Sequence, residues 1–305
     1  MPLHPVFQAA LNAAQAAGRP ALSAGTIAAA REAVAAGAKS LGVGPELGSV
    51  RPLTLPGRSG PVPATLYRPA GQVLGLVVYV HGGGWVAGSV EGFDALARAL
   101  AARSDCAVLS VDYRLAPEHP FPAGLEDAED AIRWAWAQRA ELAVKDAALI
   151  VVGDSAGANL VTVAARALAA EIEIALQLLF YPVTDQDFDT SSYQECAEGF
   201  SLTREDMRWF FSNYAPEAQW SDPRIAPMRA PLAGSPPAWI AVAEYDVLRV
   251  DGERYAQQLK EAGVAVETRT WPSLTHGFAR WFNLVDVANE AVDAAAAAIR
   301  RAASS

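Results

Sequence analysis

The sequence predicts an α/β fold in which a mostly parallel central sheet is flanked by helices. Two observations carry this prediction: nearly continuous apolar segments of strand length recur along the chain, and a helical stretch follows most of them. Strands that are buried on both faces have this composition, and alternating helices cover those faces. The expected strands are, in order, 73–80, 106–113, 148–153, 174–181, 237–246 and 264–271. Helices are expected near 92–103 and 124–140, from Ser155 onward, after the fifth of these strands and at the carboxyl end.

Two segments do not follow this alternation. Residues 6–40 contain two alanine-rich helical stretches, and the segment after the fourth strand is rich in acidic and aromatic residues. Short strands broken by turns from Val50 onward predict an antiparallel start of the sheet. We therefore expect four parts: an N-terminal helical segment (1–49), the first part of the core (50–185), an insertion (186–225) and the second part of the core (226–305).

The composition argues against several classes of protein. Hydrophobic residues make up 52% of the 305 residues and charged residues 19%, which favours a large core over disorder. The formal net charge is 24 − 34 = −10, so we expect no nucleic-acid partner and no docking on anionic membranes. The longest apolar runs are too short to cross a bilayer. Only two cysteines and no signal-peptide pattern indicate a cytoplasmic protein.

The most informative local pattern is Gly-Asp-Ser-Ala-Gly at 153–157. It follows an apolar strand and opens a helical stretch, so the chain turns sharply at Ser155 and exposes the serine oxygen. The amino terminus of the helix offers free N–H groups, of which that of Ala156 can stabilise an oxyanion. The alternative is an ordinary tight turn with a serine at the start of a helix. The strand–turn–helix context favours a nucleophile.

A second pattern, His-Gly-Gly-Gly-Trp at 81–85, directly follows the first expected parallel strand. Consecutive glycines let the backbone approach a ligand and direct its N–H groups inward. We assign the main oxyanion donors to Gly83 and Gly84, and we expect His81 to brace the loop. A phosphate-binding loop is the rival interpretation, but the glycines are followed by no Lys-Ser/Thr and lack the Gly-x-Gly-x-x-Gly spacing.

The general base is found by elimination among four histidines. His4 lies near the terminus, His81 belongs to the glycine loop, and His119 lies in a proline-rich loop. Only His276 follows the nucleophile, in a loop after the last strand, where it can reach across the sheet edge toward Ser155.

The orienting acid is expected between the nucleophile and the base in chain order. Asp246 ends a strand at the carboxyl edge of the sheet, where it can accept the Nδ1–H of His276. Glu244 lies deeper in the strand, and Asp251 lies one turn into the next helix. The more serious rivals follow the preceding strand and are Asp185, Asp187 and Asp189.

Taken together, these motifs resemble those of the hormone-sensitive-lipase-like carboxylesterases, the bacterial family IV esterases of the α/β-hydrolase superfamily. The matching segments run in family order over roughly residues 50–285: HGGGW at 81–85, DYRLAPEHPFPA at 112–123, GDSAGAN at 153–159, DPRIAPMRA at 222–230 and THGF at 275–278. The resemblance implies an α/β-hydrolase fold with Ser155 as nucleophile and His276 as base, and an oxyanion hole formed by the N–H groups of Gly83, Gly84 and Ala156. It also implies a helical cap built from the N-terminal helices and the insertion.

One departure from the family concerns the acid. The family usually has Asp-Pro-Leu where this chain has Asp246-Val247-Leu248. The missing proline leaves Asp246 as the expected acid, but the family pattern no longer fixes the geometry of the turn behind it.

From these observations we expect a carboxylesterase that hydrolyses short- to medium-chain acyl esters through an acyl-enzyme, without a metal or other cofactor. An amidase or formamidase with the same triad is the nearest alternative, and a non-catalytic small-ligand receptor on this fold is a more distant one because such receptors lack the histidine. The exposed edge expected for strand 264–271 would also suit a homodimer. Four aromatic residues are expected to line the substrate pocket, or to form the core of the cap: Trp85, Trp209, Phe210 and Tyr214.

Overall fold

The structure is a computed structural model that describes residues 1–304, and within them one eight-stranded sheet forms the centre of the molecule. The strands are β1 (Ser49–Gly57), β2 (Gly60–Arg68), β3 (Gly75–Val80), β4 (Ala107–Val111), β5 (Ala148–Asp154), β6 (Ile174–Phe180), β7 (Ala238–Tyr245) and β8 (Val266–Thr275). Their order is β1-β2-β4-β3-β5-β6-β7-β8. β1 and β2 pair antiparallel with each other, β2 pairs antiparallel with β4, and all other neighbours are parallel. The predicted fold class is confirmed, including the antiparallel start.

Helices cover both faces of this sheet. The α-helices within residues 1–304 are α1 (Pro5–Ala16), α2 (Ile27–Ser40), α3 (Asp94–Ser104), α4 (Ala123–Leu142), α5 (Ala156–Leu168), α6 (Ser191–Glu195), α7 (Arg204–Tyr214), α8 (Arg249–Glu261) and α9 (Asp286–Ala303). Helices α4, α5 and α8 pack on one face, and α3 and α9 pack on the other. No helix within residues 1–304 has both the length and the apolar character needed to cross a bilayer.

The strands are apolar throughout because both faces are buried. In β3, Leu76 and Val78 belong to the core on one face, whereas Val77 and Tyr79 belong to the core on the other. Side chains alternate between the faces of a strand, so two covered faces require an unbroken apolar run. This is why the sequence shows continuous apolar segments instead of an alternating pattern.

Three parallel strands end at the same edge of the sheet, and each leads into a residue expected to act in catalysis. Ser155 follows β5, Asp246 follows β7, and the strand β8 ends just before His276. β8 is also the outermost strand, and its residues 267–270 are exposed, as expected for a sheet edge. The homodimer stays a prediction.

The N-terminal segment and the insertion meet above this edge. The backbone N–H of Ser23, which lies between α1 and α2, donates to Asp206 Oδ1 in α7 at 2.8 Å. Asp206 is fixed in turn by a reciprocal capping box with Thr203 at the start of α7. The four predicted parts of the chain stay a prediction, and Ser305, the last residue of the fourth part, lies outside the described residues.

Candidate active site

Ser155 occupies a strained turn between β5 and α5. Its backbone has φ 55° and ψ −120°, a conformation that costs roughly 1–3 kcal/mol for a residue with a side chain. The flanking glycines allow the close packing that holds it. A Cβ at Gly153 would lie 2.5 Å from the backbone N of Ala158, and one at Gly157 would lie 2.0 Å from Val80 O. The pattern of small residues around Ser155 is therefore a steric requirement of this turn.

His276 connects Ser155 to Asp246. Its Nε2 lies 3.0 Å from Ser155 Oγ, and its Nδ1 lies 2.7 Å from Asp246 Oδ2. Asp246 is 1% exposed and Ser155 is 7% exposed, so both bonds are shielded from water. When Nδ1–H donates to the carboxylate, Nε2 is left as the acceptor for the serine hydroxyl. The three residues expected from the sequence are thus within hydrogen-bond distance of one another in the order that a proton transfer needs.

The turn after Asp246 is ordered although it lacks the proline typical of the family. Asp246 Oδ1 accepts a hydrogen bond from the backbone N–H of Leu248 at 2.9 Å. Ser192 Oγ, from the insertion, donates to Val247 O at 2.6 Å. Both carboxylate oxygens of Asp246 are therefore engaged, one by the turn and the other by the histidine.

The rival acids have other partners. Glu244 Oε2 accepts the N–H of Ser273, and the buried carboxylate of Asp251 accepts the N–H groups of two residues after β6. The remaining three acids pair with arginines in Asp185–Arg229 at 2.8 Å, Asp187–Arg254 at 3.4 Å and Asp189–Arg204 at 3.6 Å. Among the described residues, Asp246 alone of these acids contacts His276.

The glycine loop is held in place by Asp154, whose role the sequence analysis missed. Asp154 Oδ1 accepts the backbone N–H of Gly82 at 2.9 Å and the hydroxyl of Tyr79 at 2.7 Å. A Cβ at Gly82 would lie 2.6 Å from Asp154 Oδ2, so the loop and the carboxylate are in direct contact. The residue directly before the nucleophile therefore positions the loop opposite it. The Asp of the pentapeptide was the available signal, but its partner depends on the packing of β3 beside β5.

Three backbone N–H groups lie near the turn at Ser155. Gly83 and Gly84 have φ of 120° and 62° and line one cavity together with Ser155. Within residues 1–304 their N–H groups donate to no protein acceptor. The N–H of Ala156 begins α5 and has no partner within its helix. These are the donors that the sequence analysis expected for an oxyanion, and the loop leaves them free to act as such.

His81 lies behind the glycine loop and is fully buried. Its ring stacks between Phe93 and Tyr113, with centroid distances of 5.2 and 4.6 Å, and its Nδ1 lies 2.7 Å from Gly82 O. It therefore supports the loop from within the core.

A cavity of about 200 Å³ opens in front of Ser155. One wall is the carboxyl edge of the sheet with Ser155 and His276, and the opposite wall comes from the N-terminal segment and the insertion. The lining residues are Leu22, Val34, Gly83, Gly84, Phe93, Asp154, Ser155, Tyr181, Val183, Ser201, Leu202, Met207, Phe210, His276, Gly277, Arg280 and Trp281. Within residues 1–304 no cluster of three or more His, Cys, Asp and Glu side chains could hold a metal ion.

Of the four aromatic residues expected at the substrate pocket, Phe210 alone lines the cavity. Trp85 and Tyr214 are each 1% exposed and stack on each other at 4.4 Å with 4° between their planes, inside the core. Trp209 is half-buried and packs beside Phe210 without reaching the cavity. Neighbouring residues of a helix point about 100° apart, so Phe210 and Trp209 cannot both face the site. Of the two roles expected for these aromatics, Phe210 therefore has the pocket role and Trp85 and Tyr214 have the core role, while Trp209 lines no part of this cavity.

The chain is similar to known proteins in sequence and in fold. The family described as "alpha/beta hydrolase fold" matches residues 77–280. The carboxylic ester hydrolase LipN of Mycobacterium tuberculosis is 42% identical over 253 residues, which cover 79% of this chain and 67% of LipN. The ethyl acetate hydrolase of Pseudomonas putida is 40% identical over 251 residues, or 78% of each protein.

The similarity extends to three dimensions. A hyperthermophilic esterase from the archaeon Pyrobaculum calidifontis superposes with a TM-score of 0.94 at 37% identity, over 100% of both chains. Similarity in sequence and in fold thus extends over most of the chain. The protein therefore belongs to the hormone-sensitive-lipase-like carboxylic ester hydrolases of the α/β-hydrolase family.

Proposed function

We propose that this protein hydrolyses carboxylic esters with short to medium acyl chains by a two-step acyl transfer. The observation that carries the proposal is the unbroken hydrogen-bonded chain from Ser155 through His276 to Asp246, at 3.0 and 2.7 Å. The names of the similar proteins from Mycobacterium tuberculosis and Pseudomonas putida support the same reaction class.

In the first step, Ser155 Oγ attacks the carbonyl carbon of the ester while His276 Nε2 takes the hydroxyl proton. The carbonyl π electrons move to the oxygen, which the N–H groups of Gly83, Gly84 and Ala156 stabilise. When this intermediate collapses, the bond from carbon to the alcohol oxygen breaks. His276 gives its proton to the departing oxygen, and the acyl group stays on Ser155.

In the second step, a water molecule attacks the acyl carbon and gives a proton to His276. The bond between the acyl carbon and Ser155 Oγ then breaks, and Oγ recovers the proton as the carboxylic acid leaves. Throughout, Asp246 keeps its charge and stabilises the imidazolium that forms in each step. No other group has to supply electrons or protons.

The cavity supports a preference for short substrates. Its volume of about 200 Å³ leaves little space, and its outer wall includes Leu22 and Val34 from the N-terminal segment and Met207 and Phe210 from the insertion. We propose that residues 1–49 and 186–225 act as a cap over the site. A long acyl chain would have to displace this cap, so we expect hydrolysis of acetate to hexanoate esters and a steep decline toward palmitate.

The test combines a series of p-nitrophenyl esters with two serine variants. Ser155→Ala is expected to lower kcat on the order of 10⁶-fold on every ester, because the nucleophile is absent. Ser212→Ala is the matched control, since Ser212 is exposed on α7 and bonds only to a carbonyl of its own helix. Activity of Ser155→Ala close to that of the wild type would refute the mechanism. Palmitate turnover equal to that of butyrate would refute the size preference, and faster turnover of matched anilides would assign the protein to the amidases instead.

A further inference from the structure

The wall of the cavity contains a cation that the ester mechanism does not use. Arg280 lines the cavity four residues after His276, in a short turn at Phe278–Trp281. Its Cζ lies 4.3 Å from the ring centroid of Phe93, and its Nη2 donates to Gly92 O at 3.2 Å and to Val34 O at 3.5 Å. Arg280, Phe93 and Val34 line the same cavity, and Arg280 and Phe93 also line a smaller pocket beside Gly92.

Most of the hydrogen-bonding capacity of this guanidinium is unused. Arg280 has five N–H donors, and within residues 1–304 only Nη2 makes hydrogen bonds, both to carbonyls. None of the carboxylates in that range forms an ion pair with it. Two arginines of the proposed cap do form ion pairs. Arg31 pairs with Glu118 at 2.6 Å, and Arg204 lies 3.6 Å from Asp189.

Within residues 1–304, Asp154 is the one acidic residue that lines the cavity, and its carboxylate already has hydrogen-bond partners. Asp154 accepts hydrogen bonds from Tyr79 and Gly82, which hold the glycine loop. Burial raises the pKa of Asp154, while the hydrogen bond from Tyr79 and the positive charge of Arg280 act in the opposite direction. The positive charge of Arg280 therefore stabilises the Asp154 carboxylate electrostatically, although the two side chains form no hydrogen bond.

We propose that Arg280 binds a carboxylate carried by the substrate, so that the site prefers monoesters of short dicarboxylic acids over neutral esters of the same shape. This inference rests on the ester hydrolysis proposed above. A guanidinium pairs with a carboxylate through two parallel hydrogen bonds, and a half-buried position in a mostly apolar cavity makes the pair stronger than on an open surface. The net charge of −10 opposes the approach of anions, but salt screens distant charges beyond about 8 Å.

The test uses two ethyl esters that differ in charge and little in shape. Monoethyl succinate carries a carboxylate where ethyl levulinate carries a methyl ketone, and a glutarate pair built in the same way extends the spacing by one methylene. Arg280→Gln removes the charge, and Arg280→Lys keeps it. Arg269→Gln is the matched control, because Arg269 is exposed on β8, packs over Trp271 at 3.7 Å and is remote from the cavity lining.

We expect Arg280→Gln to lower kcat/KM for the monoesters about tenfold to hundredfold, mainly through KM, because a charge-assisted hydrogen bond is lost. The same variant should change kcat/KM for the neutral esters less than about twofold. Arg280→Lys keeps the charge but not the two parallel hydrogen bonds, so it should restore only part of the monoester activity, and Arg269→Gln should match the wild type on both esters.

Two outcomes would overturn this inference. If Arg280→Gln lowers activity on the charged and neutral esters by the same factor, Arg280 only ties α2 to the loop of the base. If the wild type hydrolyses ethyl levulinate but neither monoester, the inference fails while ester hydrolysis stands. A wild type that hydrolyses none of the esters would contradict the proposed function itself.

Discussion

The two walls of the cavity are held by different kinds of packing. The core wall, at the carboxyl edge of the sheet, consists of closely packed backbone: a Cβ at Gly157 would lie 2.0 Å from Val80 O. The cover wall, from residues 1–49 and 186–225, consists of single side chains such as Leu22 and Phe210. An added Cβ at Gly37 in α2, on the cover side, would meet no atom within 4 Å.

Because of this difference, we expect the core wall to determine the rate of the reaction and the cover wall to determine which substrate is preferred. The core wall holds the hydroxyl, the imidazole and the amide donors in a geometry where small displacements lower the rate strongly. We expect the cover wall to contact mainly the parts of the substrate that lie away from the reacting carbonyl. Substitutions in the core wall should therefore lower kcat or the free energy of unfolding, whereas those in the cover wall should change which ester is preferred.

Among the substitutions that compare the two walls, Asp246→Asn is expected to have the largest effect. Because Oδ1 of Asp246 accepts the N–H of Leu248, the asparagine oxygen should take that place and its NH₂ should face His276 Nδ1. The proton of the imidazole is then forced onto Nε2, which can no longer accept the proton of Ser155. We expect kcat to fall on the order of 10⁴-fold with little change in thermal stability.

Asp187→Asn is the control for this prediction, because Asp187 pairs with Arg254 away from the histidine. Both variants are compared with the wild type by steady-state kinetics and thermal unfolding. Equal kcat values in the two variants would show that Asp246 does not orient the base.

The next effect compares one glycine of each wall. Gly157→Ala places a methyl group against Val80 O, which neither backbone can avoid, so we expect more than about 3 kcal/mol of lost stability and loss of activity. Gly37→Ala adds the same methyl group inside α2, where it meets no neighbour and should stabilise the helix by about 0.5–1 kcal/mol. Urea unfolding measures both. A Gly157→Ala protein as stable as the wild type would show that the core wall is not tightly packed.

The sequence was most informative about the core wall, for a physical reason. Each residue of the expected triad follows a strand of one parallel sheet, and such strands bring their carboxyl ends to a common edge whatever lies between them in the chain. Ser155, Asp246 and His276 could therefore be assigned from the order of strands and the flanking residues. Asp154 stands in the pentapeptide, but its bond to Gly82 joins the ends of two neighbouring strands, and nothing in the local sequence identifies that partner.

The cover wall could not be predicted in the same way. Which residues of α7 face the site depends on the rotation of that helix, and a cluster of aromatics at 209–214 is compatible with several rotations. Leu22 and Val34 reach the cavity through long-range contacts of the N-terminal segment. Ser23 bonds to Asp206, 183 positions away, and Arg280 donates to Val34 O. Apolar residues in short helices carry no mark of such a contact in the sequence.

The smallest effect tests that rotation directly. Phe210 lies against Gly84, since a Cβ at Gly84 would come within 2.1 Å of the phenylalanine ring. Phe210→Leu shortens this wall. We expect kcat/KM for the p-nitrophenyl octanoate ester to rise about tenfold relative to the acetate ester, the lower end of what one methylene is worth in an apolar pocket. Trp209→Leu is the matched control, because Trp209 neighbours Phe210 in α7 but does not line the cavity.

The ratio of the two rates cancels any general loss of active enzyme, so it isolates the shape of the cavity from the stability of α7. If Trp209→Leu changes this ratio as much as Phe210→Leu does, α7 is rotated differently in solution, and the cover wall is built from other side chains. If neither variant changes it, the acyl chain does not contact α7. The N-terminal segment, through Leu22 and Val34, would then limit its length.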